Sequence, residues 1–92
     1  MKIGVISDTH GYLDEQVFEY FKDCDEIWHA GDIGDLQVTD KLKEFKRLKC
    51  VFGNIDGAEA RSEFRETIRF TCKGLVVMMT HIGGKQYVYT PH

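Results

Sequence analysis

The chain has 92 residues, 42% of them apolar and 12% aromatic, so it holds one folded domain at most and is no disordered tail. Twelve basic residues against fifteen acidic ones leave a net charge of −3, which argues against a sequence-independent grip on nucleic acid through a concentrated basic face, and no sequence-specific nucleic-acid binding is expected either. The longest apolar run, LVVMM at 75–79, is far too short to cross a bilayer. The N-terminus shows no cleavable leader pattern, so no membrane partner and a cytoplasmic location are expected. Cys24, Cys50 and Cys72 are odd in number, far apart and without a C-x-x-C pair. They read as small buried hydrophobes, not as a disulfide framework or a thiolate zinc site.

Residues 2–7 (KIGVIS) form an apolar, β-branched run that reads as a buried strand. A helical pattern follows, with Leu13, Val17, Phe21 and Cys24 on one face and Asp14, Glu15, Glu19 and Asp23 mostly outward. A second short strand is predicted at 27–30 (IWHA), ending at Gly31-Asp32. Val38, Leu42 and Phe45 recur at helical spacing, which predicts a second amphipathic helix over 36–47. Lys41, Lys43, Lys46 and Lys49 alternate with Asp40 and Glu44, so they read as a solvated face rather than an anion-binding patch. A third strand is predicted at 49–52 (KCVF), closed by Gly53-Asn54. This alternation implies right-handed βαβ crossovers and a parallel sheet. Two strand-like runs, 67–72 and 75–80, flank the turn signal Lys73-Gly74 and predict an antiparallel hairpin. Nothing is expected after it to cover it, and the chain stops at Thr90-Pro91-His92.

Polar residues gather where the strands end. Asp8 and His10 follow the first strand, Asp32 the second, Asn54 the third and His81 the hairpin's second strand. Ligands of open α/β sheets bind beyond the carboxyl ends of the strands, so these five are expected to converge on one edge. Glycines stand beside each of them (Gly11, Gly31 and Gly34, Gly53, Gly83-Gly84), as tight turns and close backbone approach require. Each residue alone has an ordinary alternative as a helix cap, a turn residue or a strand-end histidine. Together, oxygen and nitrogen donors without thiolates suit a divalent cation such as Mn²⁺, Fe²⁺ or Zn²⁺.

The ordered series D-x-H at 8–10, G-D at 31–32, G-N at 53–54 and the strand-end His81 resembles the calcineurin-like metallophosphoesterases. G-N-x-D at 53–56 and T-H-I-G-G at 80–84 resemble, more narrowly, the small YfcE-type phosphodiesterases. The resemblance implies the N-terminal part of an α/β/β/α layered sandwich: three parallel βα units, then an antiparallel hairpin. It also implies a metal-dependent phosphoesterase, with phosphodiester hydrolysis by a water held at a dinuclear site. Asp8 and His10 would hold the first metal, Asp32 would bridge, and Asn54 and His81 would belong to the second. Asp32 and Asn54 thereby count as catalytic, and His29, in W-H-A-G-D, as a supporting residue. Manganese is the expected metal, with Zn²⁺, Fe²⁺ or Ni²⁺ as alternatives, and the expected substrate is a phosphodiester or a phosphorylated small molecule.

Two departures stand out. Ile55 occupies the position after the G-N asparagine where many relatives carry histidine, although the YfcE-type branch lacks that histidine too. The family's later G-H-x-H motif has no counterpart here, and terminal His92 is a poor substitute. The chain therefore reads as a single, apparently truncated domain over 1–92 with an incomplete site. Self-association through the exposed hairpin edge is expected. A non-catalytic metal-binding or protein-interaction scaffold of the same fold is the competing reading. A phosphate-binding receiver or flavodoxin-like module is disfavoured, because no lysine stands at a matching strand end.

Overall fold

A computed structural model describes residues 2–82 and 85–90. Three strands, β1 (Ile3–Ile6), β2 (Glu26–His29) and β3 (Arg47–Cys50), form a parallel sheet in the order β1-β2-β3. Helices α1 (Gln16–Tyr20), α2 (Leu36–Phe45) and α3 (Ala58–Glu63) follow them in turn. Then β4 (Thr67–Cys72), β5 (Leu75–Ile82) and β6 (Lys85–Tyr89) make an antiparallel sheet in the order β4-β5-β6. The α/β class, the parallel βα units and the register of the 67–80 hairpin, with Thr67 opposite Thr80 and Cys72 opposite Leu75, agree with the sequence expectation.

Strand alternation builds two cores from one sheet. Ile27 and Cys50 face the helices and pack with Ile33, Val38, Leu42 and Ala60. Trp28, Ala30 and Val51 face the second sheet and pack on Val77 and Met79. Trp28 meets Phe70 edge to face, with ring centroids 4.9 Å apart. At the far end of this interface the buried Glu26 carboxylate accepts from Trp28 Nε1 and pairs with Lys49. Burial works to raise the Glu26 carboxyl, but the hydrogen bonds from Lys49 and Trp28 outweigh it and hold it below the usual range. Lys49 thus lies on β3 over the Phe70 ring and is no part of a solvated helix face. The three cysteines are free, and burial pushes the Cys50 thiol up.

The structure corrects four expectations. The first helix is only five residues long, beginning at Gln16, whose N–H donates to Asp14 Oδ1, and ending where Phe21 leaves helical geometry; Leu13, Val17, Phe21 and Cys24 still pack into the core. The second helix stops at Phe45, since Lys46 is extended, and β3 consequently begins at Arg47 rather than Lys49. Helix α3 was not legible in A-E-A-R-S-E, which buries Ala60 alone and lacks an apolar period. Most consequentially, the hairpin is not the last element: β6 pairs along β5 from Met78–Tyr89 to Ile82–Lys85 and removes that edge. Gly83-Gly84, Pro91 and His92 lie outside the described residues. No helix among the described residues is long and apolar enough to cross a membrane.

Candidate metal centre

The loops leaving β1 and β2 continue the sheet's pairing beyond the strands. Asp8 N–H donates to Gly31 O (3.0 Å), His10 N–H to Asp32 O (3.1 Å) and Gly11 N–H to Ile33 O (2.7 Å). Within this zipper Asp8, His10 and Asp32 all have left-handed backbone, at φ 55°, 49° and 58°. A non-glycine residue held there costs roughly 1–3 kcal/mol, and such strain persists only where the surroundings enforce it. The consequence is that three side chains turn toward one point. One ligating atom from each of Asp8, His10 and Asp32 lies within 4.8 Å of the other two, and His10 Nε2 is 3.9 Å from Asp8 Oδ1.

His81 enters from the second sheet, fully buried, with Nε2 3.4 Å from Asp32 Oδ2. Its Nδ1 lies 2.9 Å from Ala30 O. A carbonyl only accepts, so Nδ1 carries a proton, and the other ring nitrogen, Nε2, faces Asp32. That buried Nε2 has no hydrogen-bond partner. A bare nitrogen lone pair facing a carboxylate oxygen in a buried site is repulsive, so the contact calls for a cation, a metal ion or a proton, at Nε2. The donor chemistry of this corner therefore fits a divalent metal. Asp32 is itself held from the third loop, where Ile55 N–H donates to Oδ1 at 3.2 Å. Gly53 packs so closely that a methyl group there would collide with that oxygen.

The remaining candidates take distinct places. Asn54 is exposed on the same loop, between Gly53 and Ile55. His29 is fully buried and accepts Gly31 N–H on Nδ1 (3.1 Å), which leaves Nε2–H to donate to Thr9 Oγ1 (3.0 Å). Thr9 in turn donates to Ile33 O (2.8 Å), so His29 braces the Asp8–His10 loop without reaching the cluster's centre. Burial pushes the His29 imidazole down to about 4, against the pull of Asp56 and Asp8. Asp56 was not singled out from the sequence; G-N-x-D was its only signal. A cleft of 340 Å³ opens alongside, walled by Ile33, Gly34 and Asp35 on one side and Asp56, Gly57 and Glu59 on the other.

Comparison with known proteins places this geometry. The family model described as the calcineurin-like phosphoesterase superfamily domain matches residues 1–91. A protein named probable metallophosphoesterase from Methanocaldococcus jannaschii is 44% identical over 61 residues, covering 61% of this chain and 32% of that protein. Another so named, from Methanothermobacter thermautotrophicus, is 41% identical over 61 residues, covering 61% and 36%. A protein named phosphodiesterase from M. jannaschii is 36% identical over 69 residues, covering 66% and 40%. The chain thus spans 32–40% of the length of these relatives. No solved structure gives a significant match.

Proposed function

Because the chain belongs to the calcineurin-like phosphoesterase superfamily, we propose that its strand ends hold divalent metal and serve phosphoester hydrolysis, with phosphodiesters the favoured substrate class. The observation that carries this reading is the buried, unpartnered His81 Nε2 set against Asp32 Oδ2. Asp8, His10 and Asp32 would hold one cation, and Asp32, Asn54 and His81 would serve a second. The all-oxygen-and-nitrogen set suits Mn²⁺ first, then Zn²⁺, Fe²⁺ or Ni²⁺. When bound, the metal supplies Lewis acidity toward phosphoryl oxygens and a nucleophile at neutral pH. The chain's own residues position and neutralise: Ile55 N–H fixes the Asp32 carboxylate, and His29 braces the Thr9 turn. The exposed Ile55 side chain has no proton to give a leaving group, which favours phosphodiesters over monoesters.

The proposal takes residues 1–92 as one domain whose site is completed by ligands outside this chain, in keeping with its share of the relatives' length. Three protein ligands hold one divalent ion with water in the remaining positions, but two adjacent cations repel and need the fuller set. The 92-residue chain should therefore bind Mn²⁺ weakly and turn over bis(p-nitrophenyl) phosphate poorly. A version extended through a G-H-x-H segment should recover turnover, and Asp32→Ala should then abolish it. Calorimetry showing no Mn²⁺ or Zn²⁺ binding by the short chain, or full turnover by the extended Asp32→Ala variant, sinks the reading.

One observation favours a second reading, that of a non-catalytic or self-associating scaffold. The outward face of the β4-β5-β6 sheet exposes Val76, Ile82, Tyr87 and Tyr89. An exposed apolar sheet face of this kind suits contact with another protein surface, including a second copy.

A further inference from the structure

Asp56 is 4% exposed, and its carboxylate accepts three backbone N–H groups. Oδ2 takes Gly53 N–H at 2.7 Å and Ile33 N–H at 3.1 Å, and Oδ1 takes Gly34 N–H at 2.9 Å. Among the described residues no lysine, arginine or histidine forms an ion pair with this carboxylate; Arg61 donates to the Asp56 main-chain carbonyl instead. A buried anion satisfied by amides alone is a rigid three-point tie, because each bond is charge-assisted and the acceptor sites are directional. What it ties is specific. Ile33 and Gly34 directly follow Asp32, and Gly53 directly precedes Asn54.

We infer that Asp56 is a positioning residue for the metal centre: one carboxylate fastens the Asp32 loop to the Asn54 loop and so sets the direction of both side chains. The adjoining contacts show why such a tie is needed. Asp32 sits at φ 58°, a conformation that relaxes unless the following residues are held. Its Oδ1 accepts from Ile55, one residue beyond Asn54, so a slip between the loops breaks that bond and swings Oδ2 relative to His81. The Asp56 tie and the Ile55–Asp32 bond run in opposite senses between the same two loops, which fixes their relative rotation as well as their separation.

This inference rests on the proposed metal site, and its test separates the two. Mn²⁺ affinity is measured by calorimetry for the wild type and for Asp56→Asn, Asp32→Asn and Asp35→Ala, with metal-free melting curves and amide spectra alongside. Asp35 caps α2 through Gln37 N–H and is the structural control, since it also follows Asp32 closely but ties no second loop. In Asp56→Asn an amide nitrogen faces an N–H it cannot accept. Mn²⁺ affinity should fall about 10–100-fold, as for the loss of a group that orients a ligand, and the Gly34 and Gly53 amide protons should move upfield. Asp35→Ala should lower the melting temperature with Mn²⁺ affinity unchanged. If Asp32→Asn leaves Mn²⁺ binding intact, the metal site itself is wrong. If Asp32→Asn abolishes binding while Asp56→Asn leaves it unchanged, or weakens it no more than Asp35→Ala, the positioning role is overturned. Should Asp56→Asn fail to fold, Asp56→Glu decides: its longer arm keeps the charge but displaces the loops, so undiminished Mn²⁺ affinity in that variant overturns the inference.

Discussion

His81 Nε2 and Asp32 Oδ2 stand 3.4 Å apart in a buried corner, while His81 Nδ1–H donates to Ala30 O. The two residues are forty-nine positions apart in sequence and come from different sheets. A ring nitrogen and a carboxylate oxygen this close suit a cation, whether a metal ion or a proton, at Nε2.

This relation predicts an inverse effect for Asp32→Asn. The amide oxygen retains Ile55 N–H while the amide nitrogen donates to the His81 Nε2 lone pair, forming a hydrogen bond of about 1 kcal/mol that needs no cation. The metal-free variant should melt no lower than wild type, and the added stability conferred by Mn²⁺ should disappear. Calorimetric melting with and without Mn²⁺ checks both; a large metal-free loss would show that Asp32 Oδ2 has a favourable partner.

Acidification should expose the neutral state of His29. In the unfolded chain this imidazole titrates near its ordinary value of 6.5, and in the fold at about 4. Between those values the unfolded chain binds the extra proton. Stability is therefore complete above pH 6.5 and declines as pH falls toward 4, by roughly 3 kcal/mol from this group. Asp56 and Asp8 oppose the depression and His81 adds to it. Denaturant titrations of wild type and His29→Gln across this range isolate the effect; parallel slopes would refute it.

Glycine at 34 should prove irreplaceable and glycine at 57 dispensable. Gly34 has φ 90°, and a Cβ there would strike the main chain at His10 and Gly11, which are already bonded to Asp32 and Ile33. Gly34→Ala should cost at least about 2 kcal/mol, combining left-handed strain with a backbone collision. A Cβ at Gly57 meets nothing within 4 Å, so Gly57→Ala should be nearly neutral. Urea unfolding of both variants checks the ranking.

Self-association should run through the outer face of the second sheet. Ile82 is 57% exposed and lines a shallow apolar depression with Thr80, Tyr87 and Tyr89. Ile82→Lys should reduce the light-scattering mass of any assembly toward that of the monomer without lowering Mn²⁺ affinity. An assembly unaffected by Ile82→Lys would have to use another surface, such as the β4 edge.

The parallel βα units were legible because runs such as Gly4-Val5-Ile6 and Ile27-Trp28 carry enough β-branched and aromatic weight to declare strands unaided. Only β2 is buried throughout, however; β1, expected to be buried, lies at the sheet edge with Val5 half exposed. The candidate residues were legible for a related reason: Asp8, His10, Asp32 and His81 directly follow or close strands, where a parallel sheet delivers polar groups to one edge. Helix α3 and strand β6 escaped because each is short and buries too little to imprint a period: Ala60 is the only buried residue of α3, and Tyr87, Val88 and Tyr89 are all exposed.

The amino-acid sequence by itself thus determined the α/β class, the parallel strands and the edge where carboxylates and imidazoles collect, since periodicity and strand-end position are local properties. Tertiary structure alone decided three things. These were the left-handed turns that aim Asp8, His10 and Asp32 inward, the His81 Nδ1 bond to Ala30 O that turns Nε2 toward Asp32, and the Asp56 tie between two loops. Each depends on a hydrogen bond between segments distant in the chain, and no local pattern of residues records where such a partner lies.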